Sequence, residues 1–233
     1  MAFATIDVTK GITGSIPTAN LPTIPVTKGG TNLTSGTTDQ FLKFTGTTTL
    51  ASAADNAGTH ELLQQVHISS AVSHFDTNAI FSTSYRTYVL FGYHLRPSTG
   101  ANLRMRFLEV GGSLMNGSNY KYNQSYAKDG GTGRNYLSGT YFQIADGCGT
   151  SVDNGGTNFT LYVNVDRGTS LDSAMQIWWN AGGSTDDGNS AQWGGGGWYD
   201  GVISNDPPEK LRFYWSSGNI TNGRIAIYGI KGT

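Results

Sequence analysis

Hydrophobic and polar positions alternate with a period of two along several short runs of this chain, the mark of a β-strand with one buried face. Leu103, Met105 and Phe107 fall on one side of a strand and Arg104 and Arg106 on the other. Phe159, Leu161, Val163 and Val165 are set against Tyr162 and Asn164 in the same way. Six runs rich in aromatic and β-branched residues have strand length: "YRTYVLFGYHLRP" (85–97), "ANLRMRFLEV" (101–110), "NFTLYVNVD" (158–166), "AMQIWWNA" (174–181), "EKLRFYWSS" (209–217) and "GRIAIYGIKG" (223–232). Each is bounded by Gly, Asn, Asp, Ser or Pro, the residues that turns require. "ELLQQVHISSAVSHF" admits a short helix or two strands, and Ser69, Ser70 and Ser73 interrupt the helical period, which favours strands. About eight to ten strands joined by glycine-rich loops, with no alternating helices, predict an all-β fold: an antiparallel, jelly-roll-like β-sandwich.

The first 58 residues do not share this pattern. Neither a helical stripe nor a useful strand alternation can be drawn through "IPVTKGGTNLTS" (24–35). Of the 10 Phe, 12 Tyr and 5 Trp in 233 residues, residues 1–58 hold only Phe3, Phe41 and Phe44, while Pro17, Pro22 and Pro25 crowd together. So little apolar surface cannot offset the entropy of ordering the segment alone. The chain is therefore read as an extended Thr/Gly/Pro-rich stalk, residues 1–58, followed by a sandwich head, residues 59–233. Two behaviours fit the stalk. It is a flexible tether, or three copies wind together so that Ile12, Ile16, Leu21, Ile24, Val26 and Leu33 meet around an axis that no single copy could fill. "DQFLKFTGTTTLAS", with Phe41 and Phe44, predicts a short strand joining stalk to head.

Charge narrows the partners. With 13% charged residues and a net charge of −1, bulk electrostatics point to no nucleic-acid partner. No run approaches the ~20 apolar residues of a membrane-spanning helix, and "MAFATIDVTKGITG" lacks the pattern of a secretory signal. Locally the charges are segregated. Arg86, Arg96, Arg104, Arg106, Lys121, Lys128 and Arg134 dominate residues 81–136, whereas acids dominate 137–209. Either a basic face of one subunit meets an acidic face of the next, or the sandwich interleaves the strands and cancels the asymmetry.

Catalytic and metal chemistry find little support. Cys148 stands alone, so neither an intramolecular disulfide nor a Cys-based zinc site can form, and it reads as a small packed side chain. No Gly-x-Ser-x-Gly elbow is present, and the glycine-rich stretches lack the Lys-Ser/Thr of a phosphate loop. His60, His67 and His74 recur every seven residues, but an odd spacing alternates faces on strands. "DNGGTN" and "TDDGNS" are oxygen-rich yet depart from the calcium-loop pattern and read as turns. No cofactor or metal is expected, and the protein reads as a non-enzyme.

The segment "NAGGSTDDGNSAQWGGGGWYDG" (180–201) is the most informative. Read as a loop, it places Trp193, Trp198 and Tyr199 among small polar residues, where uncovered rings cost solubility. Flat rings against sugar C–H groups, with acids and amides for the hydroxyls, are the chemistry of carbohydrate recognition. Trp193, Trp198, Tyr199, Asp186, Asp187 and Asp200 are therefore the candidate glycan site. The competing reading packs the tryptophans beneath the loop or into a subunit contact.

"ITGSIPTANLP" followed by "IPVTKGGTNLTSG" resembles the Pro-Val-x-x-Gly-Gly-Thr-Gly-type linkers of bacteriophage tail fibres, with Asn32 where the family often has Gly. "FSTSYRTYVLFGYHLRPSTGANLRMRFLEVGGS" and the closing "GRIAIYGIKG" resemble a virion module of the same origin. The resemblance implies a homotrimeric virion protein whose N-terminal segment attaches to other virion proteins and whose head points outward to a host surface polysaccharide. Two alternatives remain open: a capsid decoration or other structural virion protein without a receptor role, and a depolymerase.

Overall fold

A computed structural model describes residues 59–115, 117–128, 131–152, 155–165, 175–201 and 208–231, together with the strands Phe41–Phe44 and Leu50–Ala53. The chain divides into two compact units, Met1–Gly58 and Thr59–Thr233. In the first, β1 (Phe41–Phe44) and β2 (Leu50–Ala53) pair as an antiparallel hairpin with Phe41 opposite Ala53 and Phe44 opposite Leu50. The three-chain axis expected from Ile12, Ile16, Leu21, Ile24, Val26 and Leu33 lies outside the described residues.

The second unit is all β among the described residues, as the period-two pattern predicts. Its strands are β3 (His60–Ile68), β4 (His74–Asp76), β5 (Tyr85–Pro97), β6 (Ala101–Glu109), β7 (Tyr120–Lys128) and β8 (Gly131–Gly139), then β9 (Phe142–Cys148), β10 (Thr157–Val165), β11 (Met175–Ser184), β12 (Ser190–Tyr199), β13 (Pro208–Trp215) and β14 (Ile220–Lys231). They form an eight-stranded sheet, β3-β14-β5-β10-β11-β12-β7-β8, and a four-stranded sheet, β4-β13-β6-β9, with every pairing antiparallel.

This order is a jelly roll with additions. If β4 to β10 and β13 are taken as its eight strands, the small sheet runs first-eighth-third-sixth. The large sheet contains second-seventh and fourth-fifth, which in the bare frame would be adjacent. Here the hairpin β11–β12 is inserted between the seventh strand and the fourth, and β14 and β3 extend the other edge. The insertion widens the large sheet well beyond the small one that backs it.

The core lies between the two sheets and obeys the alternation. Leu103, Met105 and Phe107 are fully buried on β6, as are Leu161 and Val163 on β10. An aromatic cluster closes one end, where Tyr120 meets Phe142 and Tyr199 edge-on, each at 4.9 Å between ring centroids. The Tyr120 hydroxyl donates to the Met115 carbonyl at 2.9 Å and accepts from the Phe107 amide at 3.1 Å, which satisfies a buried polar group. Cys148 is buried too, and loss of solvent pushes its thiol pKa up, away from reactivity.

The fold brings charges from the basic and acidic stretches together within one chain. Lys128, from the basic stretch, pairs with Asp146 of the acidic one at 3.6 Å. Arg104 instead lies 4.0 Å over the Tyr141 ring and Arg106 lies 5.5 Å over that of Tyr214. Arg212 is bound by both carboxylate oxygens of Asp76 at 2.6 Å.

The reading of residues 180–201 as a loop is overturned, because most of it is the end of β11 and the whole of β12. Glycine contributes no side chain to a hydrophobic pattern, so a strand with four consecutive glycines, Gly194 to Gly197, carries no visible period. Its ladder is held from both sides, Gly195 pairing with Trp179 on β11 and with Gln124 on β7. Trp193 points inward on this strand and is 0% exposed, whereas Trp198 points outward. Trp193→Ala is therefore expected to cost about 3–5 kcal/mol in urea unfolding, as for a large core truncation. Trp198→Ala should stay within about 0.5 kcal/mol.

Candidate functional site

Alternation on β12 splits the predicted glycan residues between two faces. Ala191, Trp193 and Tyr199 are turned to the core, and Gln192 and Trp198 to the surface. Trp193 is enclosed and cannot offer a ring face to a sugar. Tyr199 belongs to the core cluster, edge-on to Tyr120. Of the three predicted rings only Trp198, 42% exposed, is open to a ligand.

The acids are separated along the strand. Asp186 and Asp187 lie in the turn between β11 and β12, which is closed by the Thr185 amide to the Asn189 carbonyl at 2.8 Å and by Gly188 at φ 79°. Asp200 follows the other end of β12, where its amide donates to the Asn119 carbonyl at 2.7 Å. A ten-residue strand lies between them, about 30 Å at the usual rise. The six predicted residues do not form one site.

A different site is built on the outer face of the large sheet, the face turned away from the small one. Its rows run across the strands. In one row, Asn180 on β11, Gly194 on β12, Ser125 on β7 and Arg134 on β8 are cross-strand neighbours. In the next, Tyr162 on β10, Trp178 on β11, Gly196 on β12, Asn123 on β7 and Tyr136 on β8 are aligned. Gly194 and Gly196 leave the middle of both rows without side chains, so the floor is bare backbone. Two hollows of about 580 Å³ and 630 Å³ lie over this floor and share Ser125, Arg134, Asn180 and Gly194. A third, of about 560 Å³, lies against Phe91, Tyr93 and Asn158 and shares Asn180 and Gln192 with the first. Together they form a trough crossing the six strands from β5 to β8, about 24 Å at the usual strand spacing.

Aromatic rings rim the trough. Trp178 is 43% exposed and stacks on Tyr162 with centroids 4.6 Å apart and planes 7° from parallel. That stack fixes the indole upright beside Gly196. Trp198 is the diagonal neighbour of Trp178, at about 7–8 Å by sheet geometry. Tyr136 is 66% exposed on the opposite side. Among the described residues, the side chains of Asn123, Asn180, Gln192 and Arg134 make no hydrogen bond or ion pair within the protein. Their donors and acceptors face the hollows.

The same glycine run is shaped from below. A Cβ at Gly195 would lie 2.6 Å from Cη2 of Trp179 and 2.5 Å from the Asn123 carbonyl oxygen, and one at Gly197 would lie 2.5 Å from Cβ of Tyr122. Trp179 is buried, and its Nε1 donates to the Ile144 carbonyl of β9 at 3.0 Å. Tyr122 packs 6.0 Å from it, and burial pushes its phenol up to about 12. The inward glycines make room for the core rings, and the outward ones leave the trough open.

Of the three rings grouped from the sequence, only Trp198 lies on this outer face. The missed signal was the parity of Trp193-Gly-Gly-Gly-Gly-Trp198, which puts the two tryptophans on opposite faces once the run is a strand. Gly195→Ala is expected to destabilise the head by about 1–3 kcal/mol through overpacking. Gly194→Ala, whose Cβ would meet only the turnable amide of Asn180 at 3.1 Å, should cost less in thermal unfolding. No family model matches this chain, and neither the curated proteins nor the solved structures contain a match to it.

Proposed function

We propose that the head is a noncatalytic carbohydrate-binding domain of a phage virion protein, a trimeric tail fibre whose trough holds host surface polysaccharide. One observation carries this reading: a trough with a backbone floor, tryptophan and tyrosine rims and unengaged amides. Indole and phenol faces cover sugar C–H surfaces, and Asn123, Ser125, Asn180 and Gln192 are disposed to exchange hydrogen bonds with hydroxyls. The floor is pre-formed by the ladder, and Trp178 is held by its stack, so little ordering entropy is lost on binding. A trough across six strands suits several units of an extended chain rather than a single terminal sugar.

The phage assignment rests on the resemblance of the Gly-Gly-Thr segment and the closing strands to tail-fibre modules. In it, the stalk joins the particle and the head reaches the host cell. Adsorption of the purified protein to host cells, competed by extracted polysaccharide, tests both parts together. Trp178→Ala is expected to weaken polysaccharide binding by about 1–3 kcal/mol, as for an exposed aromatic anchor, with the melting temperature nearly unchanged. Gly194→Thr, which adds a side chain to the floor with the β-propensity a strand favours, should abolish binding and leave the fold intact. A folded wild-type head that binds no cells and no polysaccharide contradicts the proposal.

A further inference from the structure

We infer that the trough takes an acidic polysaccharide and that Arg134 binds the carboxylate or another anionic substituent of the sugar chain. This deepens the proposed function and rests on it. Three arginines of the head are held by partners within it. Arg212 is engaged by both oxygens of Asp76, while Arg104 and Arg106 lie over Tyr141 and Tyr214. Arg106 also donates to the Thr140 hydroxyl at 3.0 Å. Arg134 does none of this. It is exposed on β8, has no hydrogen-bond, ion-pair or ring partner among the described residues, and borders both hollows over the glycine floor.

Among the described residues, no acid lines the trough to neutralise it. Neither hollow that Arg134 borders is lined by an aspartate or glutamate, and the third has none either. The acids of the β11–β12 hairpin lie at its two ends, Asp186 and Asp187 in the turn and Asp200 beyond β12. A second cation strengthens the field. Lys121 stands one row from Asn123 on the same face of β7, with its Nζ 2.7 Å from the Ser138 hydroxyl, which leaves its charge uncompensated. A planar guanidinium with free donors matches a carboxylate in two-point geometry, which a neutral hydroxyl cannot reproduce. Across the floor from it stand Asn180 and Trp178, placed for the hydroxyl and ring faces of the same sugar unit. The ligand chemistry is therefore a polymer that combines apolar sugar faces with repeated negative charge.

The test uses the full-length protein and immobilised hyaluronate, alginate and polygalacturonate, each compared with its carboxyl-reduced form, with dextran as a neutral polymer. At least one acidic polymer is expected to bind about 3- to 10-fold more tightly than its reduced form. That difference should shrink as salt is raised from 50 to 500 mM, because the pair is exposed and screened. Arg134→Gln should remove the difference, whereas Arg86→Gln, which deletes the same charge outside the trough, should leave it. Equal binding of acidic and reduced forms, binding of neutral polymers only, or equal loss in both arginine variants overturns the inference while the carbohydrate-binding reading stands. Failure of every polymer, acidic and neutral alike, overturns both.

Discussion

The indole of Trp179 is the fastening on which the surface depends. It is buried between the sheets, it donates to the Ile144 carbonyl of β9, and it occupies the space that a side chain at position 195 would need. That one ring ties the inserted hairpin to the small sheet and fixes glycine on the inward side of β12. Ile177 on β11 and Trp193 and Tyr199 on β12 are buried in the same core, with Tyr199 edge-on to Phe107 of β6 at 6.3 Å between centroids. With these contacts, the large sheet extends over a continuous core, and its outer face stays flat enough to carry a trough.

The outward glycines have a separate consequence. A strand interior normally loses stability at glycine because no side chain packs and the unfolded chain has more freedom to lose. Four in succession are tolerated here because β11 and β7 pair with every one of them. What the strand gives up in side-chain packing it returns as an open backbone floor between Trp178 on one side and Arg134 and Tyr136 on the other. The jelly-roll frame supplies rigidity, and the inserted hairpin supplies the surface. The trough thus lies over an addition to the fold rather than over its eight-stranded frame, consistent with folds being scaffolds for sites.

The strands that carry large alternating side chains were legible in the sequence. "ANLRMRFLEV" and "NFTLYVNVD" show their buried faces directly, and β6 and β10 follow them with inward Leu103, Met105, Phe107, Leu161 and Val163. The strands β8 and β12 were not legible, because Gly, Ser, Asn and Gln dominate them, and in β7 the alternation of Tyr120 and Tyr122 is broken by the buried amide of Gln124. Misreading β12 as a loop carried the site with it. A loop has no parity, so Trp193, Trp198 and Tyr199 were grouped by proximity in sequence, and Trp178, Asn123 and Arg134 were missed because they enter only through register.

Indole ¹H–¹⁵N NMR of the full-length protein tests the trough as the binding surface most directly. The five tryptophans divide cleanly: Trp178 and Trp198 are exposed on the outer face, and Trp179, Trp193 and Trp215 are buried. On titration with an oligosaccharide cut from a polysaccharide that the protein binds, the Nε1–H resonances of Trp178 and Trp198 should move while the other three hold still. Movement of the buried set alone, or saturable binding with all five unmoved, would place the ligand elsewhere and contradict the trough.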